Sequence, residues 1–480
     1  MSRYLDPAWQ IAMRVRFDFN NLMAENVGDE HGFSTAELER HANLAQAALA
    51  AVQAQRRAGG LRWMELPYQE VDALLALAAE IRANFKNFVV LGIGGSALGT
   101  IALQDELLHP FHNQLSAEKR GSPALYVLDN IDPDWLSGLL DVLDPTETCF
   151  NIVTKSGDTA ETMAQLLWAR RLLIDRLGAT RYAEHIVATT DAVTGSLRPL
   201  VNGERFRSCL VPEGVGGRFS VLSPVGLLPA AVTGMDVPAL LAGAAYADRL
   251  SQTPFLWQNV ALMFALTQYL AYRRGKPMSV MMPYAQGLRT VADWYAQLWA
   301  ESLGKALDRQ GQVVNVGPTP IKTLGATDQH SQVQLFVEGP HDKIFTFILP
   351  TDSAIRWRFP PGRAVRMPWI TWVGTRSTSC WPRRPKAPRW PWPQPAGPMP
   401  RSTCRRSTHS LQGSSSICSK WLRPSAVSST ISMPSTSPEW RAARCAHSPS
   451  WAGQATRQNA PRSRRREKSG TPATRSDAAR

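Results

Sequence analysis

Cysteine is scarce in this 480-residue chain: there are six, and only Cys149 and Cys209 precede residue 356. Two early thiols cannot build a disulfide framework, so the chain fits a reducing cytoplasm rather than a secreted scaffold. Long apolar runs are missing too. The most apolar stretch, "VALMFALTQYLAY" (260–272), falls short of the roughly 20 residues that a bilayer-spanning helix needs. Arg273 and Arg274 follow it, so a buried helix is expected there and no membrane partner. The opening "MSRYLDPAWQ" has no basic-then-apolar run, and no signal peptide is expected. No segment repeats at a short fixed period.

Acidic residues are nearly absent from one end. Residues 356–480 hold 24 Lys+Arg against three acids (Glu439, Glu467, Asp477), whereas residues 1–355 hold 29 Lys+Arg against 36 acids. A net charge of +14 spread over the whole chain would suggest an acidic partner such as nucleic acid. Confined to the tail, it says nothing of the kind about the mildly acidic body.

The body is long enough for two domains. Ser34-Thr-Ala-Glu37 is a capping box, and the helix it starts is expected to run to Gly59-Gly60. Short apolar runs then alternate with longer periodic ones. "NFVVLGIGG" (87–95), "ALYVLD" (124–129), "CFNIVTKSG" (149–157) and "HIVATT" (185–190) read as buried parallel strands, with helices such as "TAETMAQLLWARRLLIDRLG" between them. That pattern is a doubly wound α/β domain. A second unit follows, with helices at about 238–275 and 287–306, strand 277–284, and strands "VQLFVEG" and "IFTFILP" within 333–350.

Five segments carry candidate chemistry. "VVLGIGGSALGT" (89–100) places Gly92, Gly94, Gly95 and Ser96 between a strand and a helix, where bare backbone can approach an anion. It loosely matches a dinucleotide fingerprint, but the next strand-end acid, Asp129, lies too far on; a tight structural turn or a sugar-phosphate contact are the other readings. "VTKSGDTAET" (153–162) offers the hydroxyls of Thr154, Ser156 and Thr159, the charge of Lys155 and a helix N-terminus, which suit a phosphate monoester. The same segment is also a plain cap, since Asp158-x-x-Glu161 resembles a capping box, and both readings can hold. Arg218 in "VGGRFSVLSPVG" either faces a developing oxyanion or is an ordinary salt-bridge residue. Gln297 and Glu301 lie four apart on one helix face, where a carboxylate can shuttle a proton or merely be solvated. His330 is a plausible acid/base in a loop before a strand.

In this order and at these spacings, from about residue 10 to 355, the segments resemble the phosphoglucose isomerase family in its shorter bacterial form. The resemblance implies two sugar-isomerase α/β domains, a homodimer, and interconversion of glucose 6-phosphate and fructose 6-phosphate with neither cofactor nor metal. It implies that Gly95, Ser96, Thr154, Lys155, Ser156 and Thr159 hold the phosphate and nearby groups, and that Glu301 moves a proton between C1 and C2. Arg218 would stabilise the enediolate and Gln297 would orient the sugar. His330 would assist ring opening in the partner subunit's site. The expected organisation is a helical arm (1–60), a first α/β domain (61–225), a second, incomplete one (226–355), and a tail (356–480) without a fold of its own. A non-catalytic sugar-phosphate binder of the same fold is the alternative, though Glu301 and Arg218 would then be idle. Specific nucleic-acid binding by the tail is not expected.

The family also needs a C-terminal lysine in a motif like D-Q-P-G-V-E-x-x-K, and the chain as written lacks it. The tail instead holds nine of 16 Trp and 17 of 35 Pro, mixed with Arg and Ser and without period. Disordered tails are usually poor in aromatics, but a GC-rich gene translated in the wrong frame yields this mixture. Trp and Met have single codons, so part of the tail can be re-read. Taking the last base of each codon with the first two of the next, Met433-Pro434 must encode Ala, Glu439-Trp440 Val or Met, and Trp440-Arg441 allows Glu. With permitted synonymous codons, 429–453 becomes L-Y-D-I-N-A-F-D-Q-P-G-V-E-G-G-K-V-R-T-F-S-K-L-G-R, with the lysine codon spanning Ala443 and Arg444. The expectation is a change of frame near Ile355–Arg356, leaving the chain as written poorly active.

Overall fold

The computed structural model describes residues 2–350 and 428–433. The N-terminal arm contains a short strand, β1 (Arg16–Asp18), two short helices, Pro7–Ala12 and Ala24–Val27, and then the helices Thr35–Arg40 and Ala42–Arg57. Ser34 caps Thr35–Arg40, its Oγ accepting from the Glu37 N–H at 3.1 Å. The single helix expected through this stretch is broken at His41, whose Nδ1 bonds the Glu37 carbonyl at 2.9 Å and so competes with the helical ladder. The Glu37 carboxylate pairs with Arg274, whose guanidinium lies over the Phe33 ring. The arm's Leu22, Phe33 and Leu38 share a core with Leu262, Leu266 and Leu270 of the helix Val260–Arg273, so the arm packs on the second half of the chain.

The first sheet is fully parallel. Its strands are β2 (Asn87–Leu91), β3 (Ala124–Leu128), β4 (Thr148–Thr154), β5 (Ile186–Thr190) and β6 (Arg207–Leu210), in the order β3-β2-β4-β5-β6. Successive residues of β2 and β4 serve opposite faces. Phe88, Val90, Cys149 and Val153 join one core with the helices Asp72–Asn84 and Pro224–Val232. Val89, Leu91, Phe150 and Ile152 join another with the helices Ala160–Leu177 and Leu197–Glu204. Helices on both faces explain why these strands are almost uniformly buried. Burial pushes the Cys149 thiol up to about 12, as befits an inert core residue.

The second sheet uses β7 (Met278–Pro283), β10 (Thr319–Lys322), β11 (Lys343–Pro350) and β12 (Ser428–Met433), in the order β1-β12-β11-β7-β10. Between β7 and β10 the chain makes a two-stranded ribbon, β8 (Lys305–Leu307) with β9 (Val313–Val316). β7, β10, β11 and β12 run parallel, and β1 closes the edge antiparallel to β12. β12 comes from the tail that was expected to lack a fold, and its serine-, threonine- and isoleucine-containing stretch tolerates an extended backbone. The remainder of 356–480, including the re-read lysine segment, lies outside the described residues.

One expected strand is a helix. Val333–Glu338 is helical, not extended. Four apolar residues in six fit either template, and here a preceding 3-10 turn, Thr327–Gln329, feeds the segment into a helix. Its Phe336 ring packs edge-on against Phe345 of β11.

Candidate active site

In the first sheet β2 is flanked by β3 on one side and β4 on the other. The chain therefore leaves the carboxyl ends of β2 and β4 in opposite directions, and a crevice opens between the loops that follow them. These are loops 92–97 and 155–159, the two glycine- and hydroxyl-rich segments singled out from the sequence.

Loop 92–97 is pinned to the segment carrying Arg218. A Cβ on Gly95 would lie 2.3 Å from the Gly217 carbonyl carbon and 2.8 Å from the Arg218 nitrogen, so only glycine permits this approach. Ser220 ties the same two loops together, its Oγ donating to the carbonyls of Gly95 (3.1 Å) and Gly217 (2.7 Å). Ser96 closes the 3-10 turn Gly94–Ser96 and is half-buried.

The helix Arg289–Leu303 brings the carboxylate from the second half of the chain. It packs against the helix Leu98–Leu107, where Thr290 Oγ1 donates to Asp105 Oδ2 at 2.8 Å. One turn apart on its exposed face, Gln297 Nε2 donates to Glu301 Oε1 at 2.8 Å. The other oxygen, Oε2, accepts from Arg218 Nη1 at 3.3 Å. Each oxygen of Glu301 is thus held by a different donor. Gln297 Oε1 is buried and has no partner among the described residues, which leaves an acceptor for a bound hydroxyl.

Sequence reasoning did not find what fixes Arg218. Its Nε donates to Ser302 Oγ at 2.9 Å, and its guanidinium lies 4.9 Å from the centroid of the Phe219 ring. Phe219 in turn stacks on Trp63 at 4.6 Å, with ring planes 7° apart. Ser302 adjoins Glu301 in sequence, which was a usable signal; nothing in the sequence placed Trp63 here.

The second loop gathers its three hydroxyls. Thr154 Oγ1 and Thr159 Oγ1 are 3.0 Å apart, and Ser156 Oγ is 3.5 Å from each. Thr159 is the N-cap of the helix Ala160–Leu177, but no side chain caps that helix. Asp158, the residue expected to cap, has its carboxylate turned to Ser196 instead. Three hydroxyls thus gather at a helix N-terminus whose N-cap makes no side-chain bond, an arrangement suited to an anion. Lys155 is half-buried at the end of β4.

His330 stands apart. It is exposed at the end of the 3-10 turn Thr327–Gln329, ahead of a helix rather than the expected strand. No hydrogen bond among the described residues links it to Arg218 or Glu301. Among those residues there is also no group of three or more His, Cys, Asp or Glu suited to a metal, and no helix long and apolar enough to cross a membrane.

Comparison with known proteins identifies the family. The family model described as "Phosphoglucose isomerase" matches residues 77–355. The glucose-6-phosphate isomerase of Carboxydothermus hydrogenoformans is 46% identical over 352 residues, covering 73% of this chain and 75% of the relative. That of Thermus thermophilus is 41% identical over 323 residues, covering 66% of this chain and 73% of the relative. Among solved structures, a hypothetical protein from Thermus thermophilus superposes with a TM-score of 0.64 at 37% identity, covering 73% of this chain and 79% of that one. A glucose-6-phosphate isomerase from Chlamydia trachomatis gives 0.50 at 26% identity, covering 62% of this chain and 54% of that one.

Proposed function

Because the chain belongs to the phosphoglucose isomerase family, we propose that the Arg218–Glu301 pair at the sheet crevice carries out its aldose–ketose isomerisation. The substrates are glucose 6-phosphate and fructose 6-phosphate. The observation that carries the assignment of roles is the Glu301 carboxylate, with one oxygen on Gln297 and the other on Arg218.

The phosphate end is held by Ser96, Thr154, Lys155, Ser156, Thr159 and the helix amides, with the Gly95 backbone beside the sugar. In the open-chain aldose, Glu301 takes the proton from C2. The C–H electrons form the C1–C2 double bond, and the carbonyl pair moves onto the C1 oxygen. Arg218 faces that oxyanion and holds a fixed positive charge where the negative charge develops. The proton of the C2 hydroxyl passes to the C1 oxyanion, and Glu301 returns its proton to C1 as the C2 oxyanion collapses to the new carbonyl. Gln297 orients the carboxylate and offers its spare Oε1 to a sugar hydroxyl.

His330 acts in ring opening from the partner subunit of a homodimer. Its exposure and its distance in bonding from Arg218 and Glu301 support that reading. So does the β8–β9 ribbon, which exposes Leu307, Val313, Val314 and Val316 although an isolated two-stranded ribbon is barely stable in water. The two early thiols and a glycolytic substrate favour the cytoplasm. The chain divides functionally into the arm (1–60), a phosphate-binding half (61–225) and a base-supplying half (226–355).

The tail is the same enzyme's C-terminal segment read in another frame. The family match ends at residue 355, and the alignment leaves a quarter of the Carboxydothermus relative uncovered. The chain as written accordingly turns over slowly or not at all. Glu301→Gln in a frame-restored chain tests the roles: isomerisation should be lost while fructose 6-phosphate still binds. Activity within tenfold of the parent would remove Glu301 from this role.

A further inference from the structure

We propose that Ser196 is a positioning residue for phosphate recognition: by holding the Asp158 carboxylate, it keeps the N-terminal amides of the helix Ala160–Leu177 open to the substrate's phosphoryl group. This rests on the reading of 154–159 as the phosphate loop.

An aspartate in the turn before a helix ordinarily swings its carboxylate onto the free N–H groups. Asp158 directly precedes the N-cap Thr159, and the Asp158-x-x-Glu161 pattern invites such a bond. Asp158 Oδ1 instead accepts from both the N–H (2.9 Å) and the Oγ (2.6 Å) of Ser196. The N-cap, Thr159, directs no side-chain bond into the helix, and its hydroxyl faces Thr154. A long helix thus begins with uncapped amides although a carboxylate stands one residue away.

The backbone is shaped for this diversion. Ser196 follows Gly195, which has φ +86° and packs so closely that a Cβ there would lie 1.9 Å from the Ser156 carbonyl oxygen. Gly157, with φ +70°, meets Gly195 from the other side. The Asp191 N–H donates to the Lys155 carbonyl at 3.3 Å, which holds loop 191–196 along the hydroxyl loop. Two further hydroxyls of this region, Thr162 Oγ1 in the first turn of the helix and Thr190 Oγ1, paired in register with Thr154, are buried and without partners among the described residues.

A released carboxylate would harm phosphate binding twice: it would occupy the amides and repel the dianion. Ser196→Ala should therefore weaken binding about three- to tenfold. Removing the carboxylate should cancel the loss, so Asp158→Ala and the double variant should bind at least as tightly as the parent. A mere brace between two loops behaves differently. Ser196→Ala would then lose the hydroxyl bond, Asp158→Ala and the double variant both bonds, and all three would weaken, the last two most.

The test is isothermal titration of the full chain and its three variants with inorganic phosphate and with fructose 6-phosphate. Weakening in Ser196→Ala, restored in the double variant, supports the proposal. Affinity within twofold of the parent in Ser196→Ala, or weakening in all three, overturns it and leaves the phosphate loop intact. If the parent chain takes up neither probe at millimolar concentration, the phosphate-loop reading falls and this inference with it.

Discussion

Gly95→Ala adds one methyl group where the structure has no room. The new carbon would meet the Gly217 carbonyl carbon at 2.3 Å, the Gly217 oxygen at 2.5 Å and the Arg218 nitrogen at 2.8 Å, whereas ordinary contact begins near 3.4 Å. All three neighbours are backbone, so no side chain can rotate away. The two loops must separate by about 1 Å. Overpacking of this kind costs about 1–3 kcal/mol. With a urea slope of about 3 kcal/mol/M, the unfolding midpoint should fall by about 0.3–1 M. Gly138→Ala is the matched control: it lies in the helix Pro133–Leu139 with nothing within 4 Å of the added carbon. That change should stabilise by about 0.5–1 kcal/mol, because alanine loses less backbone freedom than glycine in a helix. Function should fall more steeply than stability. The separated loops carry Arg218 away from Glu301, and a displacement of about 1 Å costs about 100-fold in turnover. The readouts are urea denaturation of the full chain and isomerisation by the frame-restored chain. A Gly95→Ala midpoint within about 0.1 M of the parent, or turnover within threefold, would refute the idea that this glycine sets the spacing of the crevice.

Ser302→Ala removes one hydrogen bond from Arg218, so kcat should fall about fivefold at nearly constant KM, given a net worth of about 1 kcal/mol per bond; an unchanged kcat would show that the Phe219 ring alone suffices. Phe219→Leu keeps bulk but removes the ring beneath the guanidinium and the partner of Trp63; kcat should again fall severalfold, with little change in fructose 6-phosphate affinity. His185 is buried with Nδ1 on the Thr148 carbonyl, and burial holds its pKa below the usual 6.5. Above that pH it is neutral folded or unfolded and contributes no slope. As pH falls below 6.5 the unfolded chain takes up the proton first, so stability declines. His185→Gln should flatten that decline in thermal melts from pH 7 to 5, and an unchanged slope would assign it to other groups, such as His31, which shifts the same way.

The sequence made the first sheet legible because its strands are buried on both faces. "NFVVL" and "CFNIVT" are apolar at successive positions, and glycine or hydroxyl residues mark where each ends. β6 escaped notice because Arg207–Leu210 buries little beyond Cys209 and has no run to see. Val333–Glu338 was misread because six residues cannot distinguish the two periods. Within the site, Gln297 and Glu301 declared themselves by helical spacing. The Arg218–Ser302 bond joins residues 84 apart, and the Trp63–Phe219 stack joins two segments that no local pattern relates. The Asp158 carboxylate shows the opposite limit: its local pattern says cap, and a tertiary partner, Ser196, overrides it.

The central proposal is that residues 1–355 carry the isomerase apparatus except the C-terminal lysine segment, which a frame change would remove. The direct measurement is the rate of conversion of fructose 6-phosphate to glucose 6-phosphate. It should be taken on three chains: the chain as written, one with a single-nucleotide frame repair near codon 355, and the repaired chain carrying Glu301→Gln. The account predicts turnover in the repaired chain only, with the other two lower by at least 100-fold. A repaired chain that folds and binds fructose 6-phosphate but does not convert it would contradict the account, as would equal turnover by the chain as written.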